Sequence, residues 1–173
     1  MEKVKLERFI RDIPDWPVKG ILFRDITPLL ANTTAFRHSL DKMITPFTDR
    51  VIDCVAAVEA RGFIFGSAIA AKLGVGFVPI RKKGKLPFRT TSVTYDLEYG
   101  VDTLEIHTDA IKQGQKVLLV DDLLATGGTM QAAAKLVEKL GAEVVGITLL
   151  VELANLGGRG KLEGYDIKSV ITY

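Results

Sequence analysis

The sequence predicts an α/β fold, in which a doubly wound, mostly parallel sheet is flanked by helices. Two observations support this prediction. Short apolar runs at residues 51–58 and 117–120 lack the alternation of a half-exposed strand, as is typical of strands buried on both faces of a parallel sheet. Segments with helical spacing of apolar residues lie between such runs. Strands and helices therefore alternate through the middle of the chain.

The composition is that of one globular domain. The chain has 173 residues, of which 47% are hydrophobic and 25% are charged, and its net charge of +2 is too small to indicate a nucleic-acid partner. Its one cysteine, Cys54, cannot form an internal disulfide, which fits a reducing cytoplasm. The first residues show no apolar signal segment, and no stretch approaches the roughly 18 apolar residues of a membrane span. We therefore expect a single cytoplasmic domain over residues 1–173.

The first half of the chain begins with a weakly amphipathic helix predicted over residues 3–11, which Pro14 and Pro17 terminate. An irregular segment follows. Beyond Asn32, a candidate N-cap, apolar residues recur at helical spacing. They are Phe36, Leu40, Met43, Ile44 and Phe47, while His38 lies off this stripe and is expected to be exposed.

A βα unit is predicted next, with a strand over residues 51–58 and an Ala-rich helix over residues 63–73 that Gly74 ends. Another short strand, residues 76–80, leads into a basic loop. Residues 82–100 form a polar segment, and the alternation at residues 103–107 predicts a hairpin with one solvent face. Because this segment is too polar for a parallel core, we expect residues 82–100 to project over the site as a flexible flap.

The last third repeats the pattern of helix and strand. A helix is predicted after the 117–129 stretch, and Gly141 ends it. Its apolar stripe consists of Met130, Ala133, Ala134, Val137 and Leu140. A buried strand at residues 143–153, a glycine-rich loop at residues 155–164 and a final strand at residues 165–172 complete the chain.

The stretch at residues 117–129 carries the clearest chemical signal. Its apolar strand is followed by Asp121 and Asp122, at the carboxyl end of the strand, where parallel sheets bind ligands. A loop of small residues then leads into a helix, so that its backbone N–H groups can approach a phosphate. This loop consists of Ala125, Thr126, Gly127, Gly128 and Thr129. No lysine follows the glycines, so the stretch is not the nucleotide-triphosphate pattern G-x-x-x-x-G-K-[ST].

The two acids cannot also hold the phosphate, because like charges repel. They can accept hydrogen bonds from a ribose diol or face a divalent cation through water. A ribose 5-phosphate carries both groups that the stretch can bind, namely a diol for the two acids and a phosphate for the loop. Residues 117–129 also resemble the phosphoribosyl pyrophosphate signature of the type I phosphoribosyltransferases. This resemblance implies that residues 125–129 bind the 5-phosphate and that Asp121 and Asp122 bind the ribose hydroxyls.

Further segments extend the resemblance over nearly the whole chain. They are residues 20–30, 59–63, 81–87 and 97–100, and together they are similar to the adenine-specific branch of that family. The resemblance implies transfer of the phosphoribosyl group from phosphoribosyl pyrophosphate to adenine, giving AMP and pyrophosphate in purine salvage. It also implies a homodimer and Mg²⁺ carried by the pyrophosphate, without a direct protein ligand.

The resemblance also implies roles for individual residues. Arg61 would bind pyrophosphate, as would Arg81 and Lys85 from the basic loop, Arg81 either in its own subunit's site or across the interface. Residues 1–30 and 153–164 would form a base-binding hood. The adenine-binding residues implied there are Leu22, Phe23, Arg24 and Leu153. Glu98, on the flap, is the candidate catalytic acid or base near the purine N7.

Two alternatives stay open on the residues alone. The first is a transferase for a 6-oxopurine such as hypoxanthine or xanthine. Such a base reverses the hydrogen-bond donor and acceptor pattern of adenine, so its site would need the opposite partners. A non-catalytic regulator that keeps the fold as a sensor and binds DNA would need an added helix-turn-helix module and a basic face. We see no space for such a module in this sequence, and the cations of the basic loop lack the interleaved aromatic residues of an RNA-binding surface.

Overall fold

The computed structural model describes residues 5–97 and 100–173, and the chain forms two compact units, Met1–Lys42 and Met43–Tyr173. In the first unit a single 3₁₀ turn, Leu6–Phe9, leads into β1 (Arg11–Pro14), which pairs antiparallel with β2 (Leu22–Asp25). The prediction of a helix over residues 3–11 is therefore wrong in the described part. The chain extends at Arg11 because β2 supplies its backbone with hydrogen-bond partners.

Two helices follow β2 in the chain, and the second one continues past Lys42 to Ile44. The Asp25 carboxylate accepts hydrogen bonds from the Thr27 N–H at 2.9 Å and from the Thr27 hydroxyl at 2.8 Å, where α1 (Thr27–Ala31) begins. The Asn32 side chain accepts a hydrogen bond from the Ala35 N–H at 2.9 Å, which confirms its predicted capping role at α2 (Thr33–Ile44). His38 is half-buried rather than exposed.

The second unit contains a seven-stranded sheet with two helices. Its elements in chain order are β3 (Cys54–Val58), α3 (Arg61–Leu73), β4 (Gly76–Lys82), β5 (Thr90–Asp96), β6 (Val101–His107), β7 (Lys116–Leu124), α4 (Gly128–Lys139), β8 (Glu143–Glu152) and β9 (Ile167–Thr172). The strand order is β5-β6-β4-β3-β7-β8-β9. Five neighbouring strands in this order run parallel to one another: β4, β3, β7, β8 and β9. The strand β6 pairs antiparallel with both β4 and β5. The predicted mostly parallel sheet is confirmed.

The two helices pack on opposite faces of this sheet. On α3, a Cβ built at Gly66 would lie 2.6 Å from the Cβ of Ala57 in β3. On the other face, Ala56 and Val58 of β3 belong to the core cluster that includes Met130 of α4. Successive strand residues point to opposite faces, so α3 and α4 lie on opposite sides, as a doubly wound sheet requires.

The polar hairpin differs from its prediction. Its strands β5 and β6 are paired with each other, as predicted, but β6 also pairs with β4 through Lys82 and Leu104. Leu104 and Ile106 are fully buried. The hairpin therefore extends the sheet, because alternate residues of β6 are apolar and join the core. Its strands do not form a separate lid, and closure of residues 82–100 over the site stays a prediction.

Among the described residues, no helix is both long enough and apolar enough to cross a membrane. The prediction of a single domain over residues 1–173 also stays a prediction.

Candidate active site

The acid pair lies on β7 itself rather than beyond its end. Residues 117–120 are fully buried, as predicted, but β7 continues to Leu124. On the β3 side, pairing ends at Val120, whereas on the β8 side it continues through Leu124. The longer β8 therefore extends the strand, and Asp121 and Asp122 lie where β7 has lost one of its two neighbours. At that position the edge of β7 that faces β3 is free to meet a ligand.

A cavity of about 430 Å³ surrounds this position. Three segments contribute to its lining: the end of β3 with the start of α3, the acids of β7, and the loop that leads into α4. The residues predicted for the site that line it are Arg61, Asp121, Asp122, Ala125, Thr126, Gly127 and Thr129. Gly128 follows directly as the first residue of α4. Strand and loop thus bring the predicted ribose and phosphate residues together.

The electrostatics of the acid pair differ between its two members. Burial and the neighbouring charge of Asp122 raise the pKa of Asp121 well above its usual range. Burial also raises the pKa of Asp122, although the charge of Arg61 opposes this shift. The Arg61 Nε lies 2.9 Å from the Asp122 Oδ2. The two acids titrate as a coupled pair, and Asp121 keeps its proton to higher pH than an exposed aspartate.

Arg61 occupies a different local structure from the one predicted. The sequence predicts a helix that starts at about residue 63, but α3 begins at Arg61 itself. A Cβ built at Gly62 would lie 2.7 Å from the Asp121 Oδ1, so this residue lets the first turn of α3 approach the acid closely. The glycine in the Arg61-Gly62 pair is therefore needed for the contact between α3 and β7.

The loop predicted to bind the 5-phosphate, residues 125–129, is called the phosphate loop below, and it is packed backbone against backbone. Gly127 has a φ of 82°, and a Cβ there would lie 2.3 Å from the carbonyl oxygen of Gly158. A Cβ at Gly158 would in turn lie 2.3 Å from the carbonyl oxygen of Ala125. Sequence reasoning missed Gly158, for which the signal was a pair of adjacent glycines in the 155–164 loop. At the other side of the loop, the Thr129 hydroxyl donates a hydrogen bond to the Tyr95 hydroxyl at 3.3 Å.

Two of the predicted pyrophosphate-binding residues are held by a carboxylate that the sequence did not single out. The Glu59 Oε2 accepts hydrogen bonds from the Arg81 Nη2 at 3.1 Å and from the Lys85 Nζ at 3.2 Å. Its Oε1 accepts the Lys82 N–H at 2.7 Å. Glu59 lines the cavity, whereas Arg81 and Lys85 are connected to it through Glu59. Arg81 lies on β4, not in the loop as predicted, because β4 continues through Lys82.

The pKa of Glu59 reflects these contacts. Burial acts to raise it, but the hydrogen bonds from the Lys82 N–H, Arg81 and Lys85 outweigh burial and hold the pKa below the usual glutamate value. Glu59 is therefore charged at neutral pH, and its side chain is only 9% exposed. We define Glu59, Arg81 and Lys85 as the cation cluster.

The predicted base-binding residues of the first unit lie on β2. Leu22 is 45% exposed, the Phe23 ring packs edge-on against Trp16 at 4.4 Å between centroids, and Arg24 forms an ion pair with Asp12. In the second unit, the Leu153 N–H donates to the Leu124 carbonyl at 2.9 Å, directly behind the phosphate loop. The predicted catalytic residue Glu98 lies outside the described residues.

A family model described as the phosphoribosyl transferase domain matches residues 34–171, which is most of the chain. The chain belongs to this phosphoribosyltransferase family, which agrees with the mostly parallel sheet and the acid pair before a glycine-rich helix start.

Individual relatives define its place in the family. The adenine phosphoribosyltransferase of Thermotoga maritima is 60% identical over 173 residues, 100% of both chains. A crystal structure of adenine phosphoribosyltransferase from Thermoanaerobacter pseudethanolicus has a TM-score of 0.95 at 56% identity, covering 98% of each chain. The enzyme from Saccharomyces cerevisiae, in complex with an imino-altritol bisphosphate and adenine, has a TM-score of 0.91 at 40% identity, covering 96% of each chain. The chain groups with the adenine phosphoribosyltransferases, which are enzymes of the glycosyltransferase class.

Proposed function

We propose that this chain transfers the 5-phosphoribosyl group from phosphoribosyl pyrophosphate to adenine, forming AMP and pyrophosphate in purine salvage. The observation that carries the proposal is the cavity that joins Asp121 and Asp122 to the glycine-rich start of α4. A diol-binding pair beside a phosphate loop fits a ribose 5-phosphate. The full-length relatives named adenine phosphoribosyltransferase support the choice of base.

In this proposal each part of the cavity binds one part of the substrate. The N–H groups of the loop at residues 125–129 bind the 5-phosphate at the N-terminus of α4. Asp121 and Asp122 accept hydrogen bonds from the ribose hydroxyls. Displacement of pyrophosphate at the anomeric carbon builds positive charge on the ribose ring. An acid pair beside that ring stabilises this charge, because it is fixed in place before the reaction begins.

The leaving group requires the opposite charge. Arg61 at the start of α3 and the cations Arg81 and Lys85 bind the pyrophosphate and neutralise the charge that develops on it. Among the described residues no group of three His, Cys, Asp or Glu side chains forms a metal site. In this proposal Mg²⁺ enters with the pyrophosphate, whose phosphate oxygens would hold it without a direct protein ligand. When bound, the metal neutralises phosphate charge.

The base completes the reaction. The adenine-binding residues proposed from the family resemblance are Leu22, Phe23 and Arg24 in the first unit and Leu153 in the second unit. Adenine must lose its N9 proton, and Glu98 supports this loss by protonating or hydrogen-bonding N7. We also propose that the chain works as a cytoplasmic homodimer, and the free, buried thiol of Cys54 suits a reducing compartment.

The test is a panel of bases. Purified protein is incubated with Mg²⁺ and phosphoribosyl pyrophosphate and with adenine, hypoxanthine, guanine or xanthine, beside a variant that carries Asp121→Asn and Asp122→Asn. We expect AMP from adenine alone and a rate in the double variant lower by at least about a hundredfold. Turnover of a 6-oxopurine instead would overturn the base assignment. Tight substrate binding without turnover of any base would favour a sensor.

A further inference from the structure

We propose that Glu59 is a positioning residue that holds Arg81 and Lys85 in place for the pyrophosphate group of the substrate. This inference rests on the proposed function, and it adds a residue that had no predicted role. Glu59 lines the cavity next to Arg61, while its carboxylate binds both cations of the cluster. It would act on the substrate through those cations rather than by direct contact.

The cations have long side chains that need such a support. The side chains of Arg81 and Lys85 are 34% and 50% exposed, whereas that of Glu59 is 9% exposed. An exposed lysine or arginine samples many rotamers, and ordering it on a ligand costs conformational entropy. Contact with a buried carboxylate restricts both cations before the substrate arrives. The hydrogen bond from the Lys82 N–H to the Glu59 Oε1, at 2.7 Å, in turn fixes that carboxylate to β4.

Both cations keep hydrogen-bond donors for a ligand. Lys85 uses one of the three hydrogens of its ammonium group on Glu59. Arg81 donates from the Nη2 to Glu59 and from the Nη1 to the Lys85 carbonyl oxygen at 3.1 Å, which leaves one further hydrogen on each nitrogen. A pyrophosphate can therefore be bound while the contacts with Glu59 persist.

The opposite role, in which Glu59 competes with pyrophosphate for the cations, is disfavoured by its burial. If Arg81 and Lys85 left Glu59, its charged and nearly buried carboxylate would keep, among the described residues, only the neutral Lys82 N–H as its donor. An uncompensated buried charge is strongly unfavourable. If both cations stay bound to Glu59 while pyrophosphate binds, the charge of its carboxylate stays compensated.

The test uses Glu59→Gln, which keeps the shape of the side chain and an acceptor for the Lys82 N–H but removes the charge. Binding of pyrophosphate with Mg²⁺ and binding of ribose 5-phosphate are measured by calorimetry on the 173-residue chain. We expect pyrophosphate binding to weaken roughly tenfold and ribose 5-phosphate binding to change less than about twofold. Retained ribose 5-phosphate binding also shows that the variant is folded.

Glu105→Gln is the matched control. Glu105 is 9% exposed and accepts a hydrogen bond from the Gly84 N–H at 3.0 Å in the same loop, and it forms no ion pair within the described part of the chain. We expect its pyrophosphate affinity to stay within about twofold of the wild type. In a background of Arg81→Met with Lys85→Met, the effect of Glu59→Gln should disappear, because the residues through which Glu59 acts are gone.

The outcomes separate this inference from the proposed function. Unchanged or tighter pyrophosphate binding by Glu59→Gln would overturn the positioning role, as would a tenfold loss that persists in the Arg81→Met, Lys85→Met background. Failure of the wild type to form AMP from adenine would overturn the proposed reaction. The calorimetric difference between pyrophosphate and ribose 5-phosphate would still be measurable in that case.

Discussion

The phosphate loop and the cation cluster, which are two parts of the proposed site, differ in construction. The loop at residues 125–129 is shaped by backbone contacts, with Gly127 and Gly158 packed against one another's chain segments. The cation cluster consists of long side chains that converge on the carboxylate of Glu59. One region is therefore fixed by the path of the chain, and the other is fixed by charge.

This difference predicts how the regions respond to substitution. A backbone cradle has no room to adjust, so the smallest added side chain should damage it. A cluster of partly exposed cations has several donors, so the loss of one should weaken ligand binding without harming the fold. Two substitutions test this comparison, in order of decreasing effect on activity, and a third tests the acid pair that lies beside the loop.

Gly127→Ala should have the largest effect. A left-handed conformation costs an alanine roughly 1–2 kcal/mol, and its Cβ would lie 2.3 Å from the Gly158 carbonyl oxygen. The loop must shift, and a misplacement of about 1 Å costs on the order of a hundredfold in rate. We expect AMP formation in the adenine assay to fall by at least that factor.

Gly160→Ala is the control for Gly127→Ala. A Cβ at Gly160 would meet no atom within 4 Å, although the residue lies in the same 3₁₀ segment as Gly158. Its activity should match the wild type within about twofold. Equal losses in both variants would show that the effect of Gly127→Ala does not come from the close backbone approach.

Lys85→Met should have an intermediate effect. It removes one cation of the cluster from a side chain that is 50% exposed. We expect the KM for phosphoribosyl pyrophosphate to rise about tenfold, the KM for adenine to stay constant, and the free energy of unfolding to change by less than about 0.5 kcal/mol.

The neighbouring Lys83→Met is the matched control, since Lys83 is exposed and forms no ion pair among residues 5–97 and 100–173. A similar rise in KM for both variants would point to the general charge of the basic loop rather than to the cation cluster.

Asp121→Asn tests the acid pair, and it should stabilise the fold. Burial and the charge of Asp122 raise the pKa of Asp121 in the folded protein above the ordinary value of 3.8, which holds for the unfolded chain. At a pH between the ordinary and the raised pKa, the folded protein holds a proton that the unfolded chain has released. Ionisation of Asp121 therefore lowers stability as pH rises through this window. Asparagine removes that loss, and we expect a gain of roughly 0.5–2 kcal/mol near pH 7.5.

The pH dependence distinguishes this cause from a general effect. Thermal unfolding between pH 4 and pH 8 should show the gain fading as pH falls toward the ordinary value of 3.8, because the unfolded chain then also begins to hold the Asp121 proton. Asp109→Asn, a change of an exposed acid, should leave stability within about 0.5 kcal/mol. A gain for Asp121→Asn that is independent of pH would contradict the assignment to ionisation.

The same comparison explains what the sequence could predict. The strand at residues 117–120, the phosphate loop and α4 follow from local spacing, so the sheet and the helix are confirmed near their predicted positions. The partners of Glu59 and the contact between Gly127 and Gly158 join segments distant in sequence, which periodicity does not report. The wrong helix at residues 3–11 has the same origin, because pairing with β2 outweighs local helix propensity.

One binding experiment tests the division of the site most directly. Ribose 5-phosphate and pyrophosphate with Mg²⁺ are titrated by calorimetry into the wild type, Gly127→Ala and Lys85→Met. We expect Gly127→Ala to lose at least about tenfold in affinity for ribose 5-phosphate, and Lys85→Met to lose about tenfold for pyrophosphate alone. Equal losses of both ligands in both variants, or a wild type that binds neither ligand, would contradict a site built from a phosphate loop and a separate cation cluster.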